Sequence, residues 1–66
     1  SGAAVIENVK HVMLMDNMTI TFDTGRCFIS VEGRDLTISE IWEGRVEVEG
    51  TIEKIEFYRT LGSHSD

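Results

Sequence analysis

The sequence predicts an all-β domain: an antiparallel meander of about six short strands, curled into a small sandwich or barrel and finished by a bent closing strand. Three observations carry this reading. Apolar and polar residues alternate with period two in run after run, the spacing of a strand rather than of a helix. Each run keeps one polar face, which argues antiparallel pairing, because parallel strands covered on both sides lose the polar half of the pattern. Turn signals at Asp16-Asn17, Thr24-Gly25-Arg26, Gly33-Arg34 and Glu43-Gly44 recur at the roughly 8 to 12 residue spacing of a meander.

The elements follow in order. Val5, Val9 and Val12 also fit helical spacing, so Ala3 to Met15 is open to helix; its β-branched and Met-Leu-Met content, leading into Asp16-Asn17, favours strand. Met13, Leu14 and Met15 are consecutive apolar residues, so both faces of that strand are apolar. One face is expected in the core, and the other is a candidate interface. Met18, Ile20 and Phe22 alternate with Thr19, Thr21 and Asp23, and the same rhythm returns at Ile29 and Val31, at Leu36 and Ile38, and at Val46 and Val48. Ser39 to Trp42 breaks the alternation and reads as a short turn, with Trp42 in the core or covering a barrel end, a second candidate for the interface. The turn and corner positions Gly25, Gly33, Gly44 and Gly50 are read as structural.

The closing stretch carries a phase slip. Val46, Val48, Gly50 and Ile52 hold the even, inward phase, while Ile55 and Phe57 hold the odd one. One residue must therefore be inserted in the pairing between Ile52 and Ile55, which is a β-bulge. Gly50, inward and without a side chain, marks a corner where the strand bends or another backbone comes close. The outward phase holds Arg45, Glu47, Glu49, Thr51 and Glu53; such a row needs cations opposite it, for which Arg26, Arg34, Lys54 and Arg59 are the candidates.

Length and charge bound the function. A chain of 66 residues forms one domain, with a core at about 5–59 and a flexible tail at 62–66, and so small a core has a thin stability margin. The single Cys27 forbids an intrachain disulfide, and one cysteine with two histidines is poor material for structural zinc. Self-association into a homo-oligomer is the remaining means of support. A formal charge of −6 repels phosphate and anionic lipid, so neither nucleic acid nor membrane insertion is expected. Cytoplasm is the default location. The glutamates read as a solvated face rather than as acid–base or metal ligands, since no histidine or calcium-loop pattern accompanies them. Cys27 beside Phe28 reads as a half-buried side chain, and His11 and His64 offer no ligand set. No catalytic, cofactor-binding or metal residues are expected.

The stretches "IENVKHV", "ITFDTG", "ISVEGRDLTI" and "GRVEVEGTIEKIEF", in this order over about Ile6 to Tyr58, resemble the YabP/YqfC family of small sporulation proteins. The joint spacing from Gly25 through Gly33, Gly44 and Gly50 to Phe57 carries the likeness. The hairpin glycine is shifted by "DTGR", and Val31 and Val48 stand where isoleucine is common. The resemblance implies a non-enzymatic protein of endospore-forming bacteria, made during sporulation and acting in spore assembly through protein partners. It offers no catalytic residues to carry over, and it makes Gly33, Gly44 and Gly50 fold positions. The alternative from strand rhythm and length is an Sm-like or other small-barrel nucleic-acid binder, which lacks basic loops and aromatic platforms here.

Overall fold

The computed structural model describes residues 2–59, and they form one antiparallel sheet of five strands. These are β1 (Gly2–Ile6), β2 (His11–Met15), β3 (Thr19–Asp23), β4 (Cys27–Trp42) and β5 (Arg45–Arg59). Their spatial order is β1-β5-β4-β3-β2. The all-β class and the antiparallel meander of β2 to β5 match the sequence expectation. The strands number five rather than six, and the sheet is open rather than closed. The expected tail at 62–66 and His64 lie outside the described residues.

The difference in count comes from runs that merge and from one that divides. Gly33-Arg34 is not a turn: it lies inside β4, which runs unbroken through the positions read as two strands and through Ser39 to Trp42. The loss of alternation that mimicked turns there comes from bulges. Arg34 pairs with Thr51 and Thr37 with Glu49, so Asp35 and Leu36 together oppose Gly50; Ile38 pairs with Val48 and Glu40 with Glu47, leaving Ser39 as an extra residue. Conversely, the stretch read as one strand before Asp16 is two, and β1 and β2 stand on opposite edges of the sheet. Residues 7–10 bridge them: Val9 N–H donates to Gly44 O at 2.7 Å and Lys10 N–H to Asp23 O at 2.7 Å.

The phase slip in the last strand is where the sequence places it. Lys54 pairs with Glu32 and Ile52 with Gly33, so Glu53 is the inserted residue. Two half-sheets share the long β4–β5 hairpin: the first half of β5, the second half of β4 and β1 on one side, and the remaining halves with β3 and β2 on the other. Bulges bend both long strands between these halves. The bend lets the apolar faces meet in one core, where Ile6, Leu36, Val46 and Val48 of one half pack with Ile20, Phe22, Ile29 and Val31 of the other.

Close approach of backbones fixes the corner. At Gly33 an added Cβ would fall 1.9 Å from Thr51 O; at Gly50, where φ is +140°, it would fall 2.6 Å from Asp35 O. The turns lie elsewhere. Asp16 Oδ1 accepts from the N–H groups of Met18 and Thr19 at 2.8 Å each, which caps the β2–β3 hairpin by side chain. Glu43 and Gly44 both have positive φ, as a two-residue hairpin whose twist matches its strands requires. Gly25 sits with positive φ in the β3–β4 turn.

Candidate functional site

The chemistry-bearing residues do not converge. The described residues hold no group of three or more His, Cys, Asp or Glu suited to a metal. His11 is exposed on the edge strand β2. Cys27 is half-buried, with Sγ 3.4 Å from Thr24 Oγ1. The surface instead offers apolar patches and charge.

β2 contradicts the expectation that one of its faces is core: all five residues are exposed, with Val12 at 39%, Met13 at 56%, Leu14 at 50% and Met15 at 56%. The cause is register. Val12 pairs with Phe22 and Leu14 with Thr21, leaving Met13 as an extra residue. Met15 shares a face with its buried partner Ile20, but it stands at the edge, beyond the reach of the other half-sheet. Among the described residues no strand pairs with the outer side of β2, which there presents unpaired backbone groups and apolar side chains.

Trp42 is neither in the core nor over a closed end; it is 61% exposed at the end of β4. Arg45 lies over its ring, 5.8 Å from the centroid, and also pairs with Glu7 at 3.5 Å. Val5, Glu40, Trp42, Arg45 and Glu47 line a cleft of about 140 Å³. This patch adjoins β1, while Met13, Leu14 and Met15 lie on β2 at the opposite edge, so the candidate interface residues form two surfaces and not one. Phe57, which the sequence reading put in the inward phase with Ile55, is 70% exposed, and Ile41, not singled out by sequence, is 68% exposed. Both keep the inward phase of the alternation, and only the extent of the opposite half-sheet decides that they stay uncovered.

The acidic row is only partly neutralised. Arg34 Nε binds Glu53 Oε2 at 3.1 Å, and Lys54 Nζ binds Glu56 Oε2 at 2.9 Å. Glu47, however, stands opposite Glu40 rather than a cation. Tyr58 donates its hydroxyl to Glu56 Oε1. That hydrogen bond and the Lys54 ammonium hold the Glu56 carboxyl below its ordinary value, and Glu56 in turn raises Lys54 and Tyr58. All three are solvent-facing, so the cluster positions side chains on the sheet surface and builds no sheltered reaction site.

No helix among the described residues is long and apolar enough to cross a membrane. The YabP family model matches residues 2–63, which spans every strand. No curated protein matches the chain.

Proposed function

We propose, from the premise that the chain belongs to the YabP family, that it acts in endospore assembly as a non-enzymatic interaction module that self-associates through β2 in the cytoplasm of the sporulating cell. The family likeness supports the sporulation setting. The single observation that carries the mechanism is an edge strand with no buried residue, in which Val12 to Met15 are four consecutive exposed apolar side chains. An open edge of this kind is a template for a further strand, with backbone hydrogen bonds supplying affinity and side-chain pockets supplying selectivity. On a chain of charge −6, β2 has no acidic or basic side chain besides His11, so no carboxylates of β2 itself are brought together in a contact between copies there.

Sedimentation velocity on the purified chain, with Leu14→Lys and Met15→Lys variants, tests the mechanism. The expected result is a dimer or larger species whose dissociation constant rises at least tenfold in either variant. A wild-type chain that stays monomeric at high concentration defeats self-association. Pull-down from sporulating cells tests the setting, and recovery of no partner that is lost with Leu14→Lys argues against a role in assembly through β2.

A further inference from the structure

The edge opposite β2 has a different chemistry. β1 (Gly2–Ile6) has no charged side chain, and among the described residues no strand pairs with its outer side. Its register against β5 puts Ala3 opposite Glu49 and Val5 opposite Glu47, and Glu47 is in turn opposite Glu40 on β4. Cα partners share a face of the sheet. The small side chains of Ala3 and Val5 therefore lie between the open edge and a set of carboxylates on the same face.

Among the described residues no cation forms an ion pair with those carboxylates. Among the described residues the ion pairs are Arg34 with Glu53, Arg45 with Glu7 and Lys54 with Glu56; Glu40, Glu47 and Glu49 take part in none. Two clefts flank the two ends of β1. One holds Glu40 and Glu47 beside Trp42. The other, about 490 Å³, is lined by Gly2, Asp35, Thr37, Glu49 and Gly50. Each cleft has two carboxylates; the first also holds Val5 and the Arg45 guanidinium, and the second Thr37 and two glycines.

We infer that β1 is a docking edge for an extended, basic segment of another protein, one with Lys or Arg at alternate positions. Such a strand would complete the backbone ladder of β1. Its alternate side chains would repeat every two residues, which is the spacing of Glu47 and Glu49. From a strand outside β1, the cation must cross two strand spacings, roughly 10 Å, to reach β5. The four-carbon stem of lysine laid over Ala3 or Val5 meets the glutamate side chain over that gap. Arg45 is engaged by Glu7 and by the Trp42 ring and does not occupy the carboxylates. A second copy of this chain is disfavoured as the occupant, because neither of its open edge strands, β1 or β2, carries a lysine or arginine to meet the carboxylates.

The inference shares the class of the proposed function but rests on the other edge. A monomeric chain that binds the basic strand would sink self-association and leave the β1 site standing. The test is titration of the isotope-labelled full chain with an acetylated, amidated Lys-Thr-Lys-Val-Lys-Thr-Lys peptide, followed by amide NMR shifts. A peptide of equal charge with its four lysines contiguous is the comparison. The expected result is shifts confined to Gly2 to Ile6, their β5 partners and the Trp42 indole, with at least threefold weaker binding of the contiguous peptide. Glu47→Gln and Glu49→Gln each weaken binding about two- to fivefold, the scale of one exposed ion pair, whereas Glu32→Gln leaves it within experimental error. Equal binding of both peptides, shifts centred on β2, unchanged affinity in both glutamine variants, or no binding at about millimolar peptide would each overturn the inference.

Discussion

At the scale of single residues, the corner depends on two missing side chains. A Cβ at Gly33 would sit 1.9 Å from Thr51 O, a backbone atom that cannot swing aside. Gly33→Ala must part β4 from β5 at their bend, and its expected cost is about 2–4 kcal/mol, the range of forced backbone strain and disrupted packing. Denaturant unfolding of the variant measures it, and a loss below about 1 kcal/mol would show that the corner opens easily. The Glu56 cluster makes a second residue-level prediction. With its carboxyl held below the ordinary value of 4.5, Glu56 contributes stability that is present above pH 4.5 and is lost as pH falls through the lowered value. Lys54, raised above 10.5, contributes stability that is present below pH 10.5 and is lost as pH rises through the raised value. Because the Tyr58 hydrogen bond is the largest cause of the Glu56 shift, Tyr58→Phe is expected to move the Glu56 titration upward, towards 4.5. A carbon-detected NMR titration in which Glu56 does not move would assign the whole effect to Lys54.

At the scale of elements, partners across one ladder have opposite fates. Ile20 is fully buried while its neighbour Met15 is 56% exposed. Ile20→Ala is therefore expected to cost about 2–5 kcal/mol, and Met15→Ala less than about 0.5 kcal/mol in the monomer; equal losses would place β2 in the core after all. The same contrast explains what the sequence could tell. Alternation at Met18 to Asp23 and at Val46 to Val48 marks strands with one wet face, and the slip before Ile55 can be read because apolar residues on both sides of it, Val46, Val48 and Ile52 before and Ile55 and Phe57 after, each keep their own phase. Three bulged positions were not legible as such: Met13, the Asp35-Leu36 pair and Ser39 each spoil the period, and a spoiled period looks the same as a turn or as a strand apolar on both faces. Whether Ile41 and Phe57 are covered depends on how far the opposite half-sheet reaches, a quantity set by the bend and not by any local pattern; Trp42, the partner of Arg45, stands on the outer face.

At the scale of the whole molecule, the two edges are expected to respond to salt in opposite directions, and this separates their roles. The apolar residues buried in the monomer form one small core, so contact at β2 adds apolar burial to a domain with little of its own. Between copies carrying −6, repulsion at distance opposes that contact. Salt at about 0.5 M shortens the screening length to a few Å and removes the repulsion without weakening apolar burial. Self-association through Val12 to Met15 should therefore strengthen with salt, and also as pH falls towards the isoelectric point of about 4.7, where net repulsion vanishes. Binding of a basic strand at β1 should weaken over the same salt range, because its selectivity rests on Glu40, Glu47 and Glu49. Sedimentation velocity and peptide titration, run in about 0.02 M and about 0.5 M salt, measure the two signs on one preparation. If self-association weakens with salt, its contact is ionic and not the apolar edge of β2; if basic-strand binding strengthens, the glutamates beside β1 are not what recognises it.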